Sequence, residues 1–312
     1  LISLNGSIVK LHKVKLPLIT ADDGRAEHNP QLIYNSFINL VRDLTKGYRD
    51  RVHSLVISSY ISSIVLLDKN GKELSNLITW LDRRTIRTLE SVKNNIDLYE
   101  LYKRTGCPPL YMYPLMKILW LQKDKPDLLK HANYILDSKS YIIFKLLNDP
   151  YIDLSTASAT QLLNVYSLKW DDLALSIAGI DESKLPKLTE GDVILDKIPA
   201  SKALNMGLHN DVVLIPSVYD GAAFIAGLGG LDEGIGSSHI GTSAMLRVSS
   251  SKPIIDYDNM ELHSYYLCRG IWIPGGAIGN AGIVLEWLSS KVGRIDINEL
   301  MSSLQTIKLT KD

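Results

Sequence analysis

The chain has 312 residues, with 34 Lys plus Arg against 34 Asp plus Glu and therefore no formal net charge. The length suffices for two domains with real cores, and the charge balance excludes binding of nucleic acid or an anionic membrane through bulk charge. Two distant cysteines, Cys107 and Cys268, argue against a disulfide framework and fit a reducing cytoplasm; no apolar run reaches membrane-spanning length and no signal peptide is visible.

Residues 1–20 alternate apolar and polar around Asn5-Gly6 and predict a β-hairpin, and the polar residues 21–30 predict a loop. Apolar residues at helical spacing over 30–46 predict the first helix. Two β-branched runs follow, meeting at Ser58-Ser59-Tyr60, then a turn at Asp68-Lys69-Asn70-Gly71 and a strand ending at Ile78-Thr79-Trp80. Helices are expected over 82–101, ended by Gly106, over 117–129, and over 169–185. Residues 134–147 are apolar up to the turn at Asn148. Strands are expected at 195–198 and 212–215, a small-residue helix at 221–230, hairpins over 237–248 and 256–273, and a last helix over 280–291. Strands and helices mix throughout, so the class is α/β. The Gly-rich crossing at 227–236 is the candidate domain boundary: residues 1–230, then residues 231–312.

Two segments carry chemistry. In Ile215-Pro216-Ser217-Val218-Tyr219-Asp220-Gly221 an apolar strand runs into a lone carboxylate, and Gly221 lets a ligand approach closely. In His239-Ile240-Gly241-Thr242-Ser243-Ala244 a tight turn offers amides and two hydroxyls that can cradle a phosphate oxygen. Read singly, Asp220 is more simply a helix N-cap and the second segment an ordinary hairpin turn. Trp120, Trp170, Trp272 and Trp287 read as core, Asp82 as a helix N-cap, Asp153 as a turn cap, and Arg83, Arg84 and Arg87 as a solvated helix face. The seven His show no pair at metal-ligand spacing.

Taken together, the two segments resemble the FGGY family of carbohydrate kinases. The resemblance extends through Gly24-Arg25-Ala26-Glu27-His28-Asn29-Pro30, Ile78-Thr79-Trp80-Leu81-Asp82-Arg83, Asp153-Leu154-Ser155-Thr156-Ala157-Ser158 and Ile273-Pro274-Gly275-Gly276 to Leu288. It implies the actin-like, ribonuclease-H-like α/β fold, with two domains about a cleft. It implies phosphoryl transfer from ATP, with Mg²⁺, to a small sugar or sugar acid. Asp220 matches the family's catalytic base, Gly241, Thr242 and Ser243 its phosphate-binding turn, and Trp80 the Trp bordering the sugar; Tyr60 and Gly221 are expected beside the sugar.

Within the family the segments 105–117 and 273–288 resemble gluconokinases, with xylulokinases and glycerol kinases next. Tyr60 and Ile61 stand where glycerol kinases carry an Arg-Glu pair, which counts against glycerol. The Met-His that xylulokinases and many gluconokinases carry near that place is absent. An opening Asp-x-Gly-Thr-type turn and a late Gly-Gly adenosine segment do not occur in the chain. It is therefore expected to be incomplete at both ends, with a partial second domain, and to bind ATP poorly by itself. A non-catalytic sugar-binding relative and an assembly protein of the same fold are the other classes, and the oligomeric state stays open between monomer and homodimer.

Overall fold

The structure is a computed structural model that describes residues 1–293 and 296–304. Its first helix, Pro30–Thr45, starts where Asn29 accepts the Leu32 amide at 3.1 Å and Pro30 occupies the first turn. It buries Ile38 and Val41 against a core that includes Val65, Leu67, Leu136, Ile143 and Leu214. Strand Val213–Ile215 pairs in parallel with Ser54–Val56 and antiparallel with Asp196–Lys197. Strand Val65–Leu67 pairs antiparallel with Tyr134–Leu136, and Tyr151–Asp153 pairs in parallel with Lys187–Thr189. Parallel strands need crossovers, and helices supply them, which makes the architecture α/β.

Several expected elements are divided, each for a local reason. The helix expected over 82–101 becomes Ile86–Val92 and Leu98–Thr105, because Asp97 accepts the Glu100 amide and caps a new start. Gly106 ends it in the left-handed region at φ 63°. The helix expected over 117–129 runs as Pro114–Asp124 and Pro126–His131, since Pro126 offers no amide to continue the first. The helix expected over 169–185 opens as strand Lys169–Trp170, then becomes Asp172–Ala178 under an Asp171 cap. The expected opening hairpin is a single bridge, Ile2 with Ile8, and the strand Ala26–His28 lies in the expected loop. Ile2, Leu4 and Ile8 all stay exposed, so that segment has no core face to hold a ladder.

The later residues form an antiparallel sheet in the order Gly236–Ile240, Ala244–Val248, Ile271–Ile278, His263–Cys268. The helix Asp220–Gly227 packs on it through a third apolar cluster, which holds Tyr113, Tyr219, Ala222, Ile225, Tyr265 and Ile273. Trp120, Trp170 and Trp272 are buried as expected. Trp287 is not: it is 55 % exposed, because helix Gly282–Trp287 buries none of its residues. That helix hangs instead from the Gly241-Thr242 backbone, whose carbonyls accept the Gly282 amide at 2.7 Å and the Ala281 amide at 3.1 Å.

Two buried charge clusters replace expected surface roles. Asp82 does not cap a helix: it accepts the Ala26 amide at 3.0 Å and pairs with Arg84 at 2.7 Å. Arg84 also pairs with Glu27 at 2.5 Å and stacks 4.4 Å from the Trp120 ring centre, so it is not part of a solvated face, whereas Arg83 and Arg87 are exposed. In the second cluster Asp153 caps helix Leu154–Ser158 through the Thr156 amide and meets the Lys139 ammonium at 2.5 Å. Both side chains are wholly buried, and Lys139 also donates to the Ser217 carbonyl at 3.2 Å. Lys139→Met leaves the Asp153 carboxylate buried without its cation. It should cost about 3–5 kcal/mol of stability, read as a fall in the thermal unfolding midpoint of the full-length protein.

Candidate functional site

The segment leading to Asp220 is bent and pinned. After strand Val213–Ile215 the chain turns at Ser217, a non-glycine residue at φ 58°. Its carbonyl is held by Lys139 and lies against Gly191, where a Cβ would come within 2.7 Å of it. Ser58 donates its hydroxyl to the Val218 carbonyl at 2.8 Å, and the Asp220 amide donates to the Ser59 carbonyl at 2.9 Å. Asp220 is thus fixed by backbone, while the residue keeps an exposed side and a partly desolvated carboxylate.

Asp220 is the first residue of helix Asp220–Gly227, and Tyr219 holds the cap position, so Asp220 is not the N-cap that the sequence allowed. Its Oδ1 accepts the Gly221 amide at 2.7 Å. Desolvation raises its pKa above the ordinary carboxylate value, opposed by the Gly221 amide and by the charges of Arg247 and Lys139. A carboxylate with a raised pKa is a better proton acceptor than an ordinary one.

The surroundings hold polar atoms without partners. Next to Asp220 the hydroxyls of Ser59 and Tyr219 and Arg247 Nε are buried and unpaired, and so, further along the chain, are the hydroxyls of Tyr60, Ser62, Ser155 and Thr156, the Gln161 carbonyl oxygen and His263 Nε2. Buried polar groups in a folded protein normally have partners, so such a set marks a place built for water or a polar ligand. Tyr60 lies near Ser63 and Asp137, and its hydroxyl is pushed up by burial and by the Asp137 charge. Gln161 reaches the Cys107 carbonyl, and the Cys107 thiol donates to the Ser158 carbonyl. Tyr113 and Tyr265 share a hydroxyl hydrogen bond of 2.6 Å, and Tyr265 meets Tyr219 edge-on at 6.0 Å.

The Gly241-Thr242-Ser243 turn joins strands Gly236–Ile240 and Ala244–Val248. The Gly241 amide donates to the Ser243 carbonyl at 2.8 Å, and Thr242 and Ser243 are exposed. The His239 ring meets Phe224 at 5.2 Å, which couples this strand to the helix that begins with Asp220. Trp80 stands 44 % exposed beyond strand Leu77–Ile78, and none of the ring contacts among the described residues involves it. The structure therefore groups Asp220 with Gly221 and the Ser59-Tyr60 segment, whereas among the described residues no hydrogen bond or ring contact ties Trp80 to them. An open cleft of about 810 Å³, lined by Glu27, Asn76, Trp120 and Asp124 among others, includes none of these residues.

Sequence reasoning missed Lys139, Arg247 and His263. The available signal was a charged residue where burial is expected: Lys139 within the apolar run 134–147, and Arg247 inside a strand. Among the described residues no group of three or more His, Cys, Asp or Glu can hold a metal ion, so they provide no built magnesium cage. No helix among them is long and apolar enough to cross a membrane.

The sequence matches the N-terminal domain of the FGGY family of carbohydrate kinases over residues 1–227. A gluconokinase of Bacillus subtilis is 33 % identical over 298 residues, which cover 95 % of this chain and 58 % of that protein. Crystal structures of a gluconate kinase and of a ligand-bound xylulose kinase from Lactobacillus acidophilus each superpose with a TM-score of 0.93 at 27 % identity. Each match covers 98 % of this chain and 63 % of the other. The chain thus spans about three fifths of the length of these relatives, and its fold is the actin-like α/β fold they share. With the matched region covering most of the described residues and including Asp220, the chain belongs to the FGGY family of carbohydrate kinases.

Proposed function

We propose that the protein transfers the γ-phosphoryl group of ATP to a hydroxyl of a small sugar acid, gluconate first, in the cytoplasm. The observation that carries this reading is Asp220: a carboxylate of raised pKa, pinned by backbone and flanked by buried polar atoms without partners. Polyol hydroxyls are the natural partners for such atoms, since each both donates and accepts. Asp220 accepts the proton of the attacking hydroxyl, and Gly221 borders the substrate beside it. Tyr60 and Trp80 border the sugar, Tyr60 through its unpaired hydroxyl and Trp80 through its exposed indole face. Gly241, Thr242 and Ser243 hold the phosphates by backbone and hydroxyl groups. Mg²⁺ enters as the companion of ATP and neutralises its charge.

In this reading residues 1–230 form the sugar-binding domain and residues 231–312 the opening of the nucleotide-binding one. The family match over 1–227 and the change to an antiparallel sheet at Gly236 support that division. Xylulose is the second substrate reading, favoured by the likeness to the ligand-bound xylulose kinase.

ADP release by the full-length protein with Mg-ATP should saturate with gluconate within a panel that includes 2-keto-3-deoxygluconate, xylulose, ribulose and glycerol; saturation with xylulose alone selects the second reading. Asp220→Asn should lower kcat at least ~100-fold, as loss of a positioned base does, with unfolding unchanged; activity within a few-fold of the parent removes Asp220 as the base. The base must be deprotonated, so kcat/KM should rise with pH through a pKa above the ordinary 3.8. An acid limb at or below that value contradicts the raised carboxyl.

A further inference from the structure

Arg247 is the charged group that the sugar-kinase reading leaves without a task. The arginines that form ion pairs among the described residues are Arg25, Arg84, Arg104 and Arg269. Arg247 is not one of them, is only 7 % exposed, and has a buried Nε with no hydrogen-bond partner. An arginine cannot shed its proton to escape burial, and although Arg247 lies within electrostatic reach of Asp220 it forms no ion pair, so its buried guanidinium can take an anion.

Its placement is built. Arg247, Gly275 and His263 form one row across neighbouring strands of the antiparallel sheet. Gly275 has no side chain, and a Cβ there would lie 2.8 Å from the Arg247 Cγ and 2.2 Å from the Leu246 carbonyl. The Arg247 stem therefore runs close over Gly275. At its far end, a Cβ on Gly221 would lie 3.1 Å from the guanidinium, so the charge sits beside the residue that follows the proposed base. The Tyr219 hydroxyl faces Arg247 without a well-formed hydrogen bond, and His263 Nε2 is buried and unpaired. Burial and the Arg247 charge hold the His263 ring neutral, with a pKa lowered to about 3, so it is available as a neutral donor or acceptor.

We propose that Arg247, with Tyr219 and His263, recognises the carboxylate of an aldonic acid substrate and so selects sugar acids over neutral sugars. This rests on the sugar-kinase reading and adds the residue that sets its substrate class. A planar guanidinium matches a carboxylate in two parallel hydrogen bonds, and two neighbouring neutral groups complete its shell. The phosphates are a worse candidate for the anion. Arg247 lies four residues beyond Ser243 on a strand, about 13 Å along it from the turn proposed to hold them. Gly221 joins the two, since it follows Asp220 in the chain and packs against the Arg247 guanidinium, so a substrate that meets Asp220 comes within reach of Arg247.

The test is calorimetric binding to the full-length protein of gluconate and of glucitol, which has the same carbon chain with an alcohol in place of the carboxylate. The parent protein should bind gluconate at least 10-fold more tightly. Arg247→Gln should lower gluconate affinity about 100-fold, collapsing it to that of glucitol, and Arg247→Lys should keep part of the preference. The inference is overturned by a parent protein that does not prefer gluconate, by a preference that survives in Arg247→Gln, or by a variant that loses ADP rather than gluconate affinity. The parent comparison stands even where a variant fails to fold. Binding separates this inference from the kinase reading, which fails only if no sugar in the ADP-release panel is turned over.

Discussion

The contact of Lys139 with Asp153 and the Ser217 carbonyl is the constraint on which the candidate site depends. It joins three stretches of chain: the helix Ser138–Leu147, the cap of Leu154–Ser158, and the bend that follows strand Val213–Ile215. Ser217 is in a backbone region that a side chain adopts at a cost, so the bend needs external support. Lys139 supplies it from one side and the bare backbone of Gly191 allows close packing from the other. Two further hydrogen bonds, from Ser58 and to Ser59, fix Val218 and Asp220 beyond it. The result is a carboxylate at a helix start whose position is set by backbone contacts. Its side chain is left free to meet a ligand.

The same lysine bears on chemistry as well as shape. Its charge, with that of Arg247, opposes the desolvation that raises the Asp220 pKa. A base held too high would stay protonated at working pH, and one held too low would accept a proton weakly; an upward displacement opposed by two cations serves transfer to an alcohol. The two cations reach Asp220 from opposite parts of the fold, Lys139 from the earlier helices and Arg247 from the antiparallel sheet. The electrostatics of the site therefore depend on how the two parts meet, through the tyrosine cluster of Tyr113, Tyr219 and Tyr265.

The buried polar atoms around Asp220 and the apolar clusters beneath them play separate roles. The clusters containing Leu66 and Leu214 are mainly aliphatic, and Tyr102, Tyr141, Trp170 and Trp272 within them each find a hydrogen-bond partner. Ser59, Tyr219 and Arg247 bring unpaired buried polar atoms next to Asp220, where a polar ligand or water relieves them.

The sequence alone determined much of the local structure: the Asn29-Pro30 helix start, the Gly106 stop, the turn at Gly71 and the hairpin about Gly241 are written in residues whose backbone or capping preferences act within a few positions. The segments that carry the family resemblance were legible for the same reason, since each is short and contiguous. Where an apolar pattern was continuous but broken by Pro126 or recapped by Asp97, periodicity alone ran through the break. Only the tertiary structure decided that Asp82 and Arg84 pair internally, that Trp287 stays exposed, and that Lys139, Arg247 and His263 gather near Asp220. The Ala26 amide on Asp82, Glu27 on Arg84 and the Ser217 carbonyl on Lys139 lie 56, 57 and 78 residues away, and the burial that gives a charge its meaning is a property of the packed chain, not of any local run of residues.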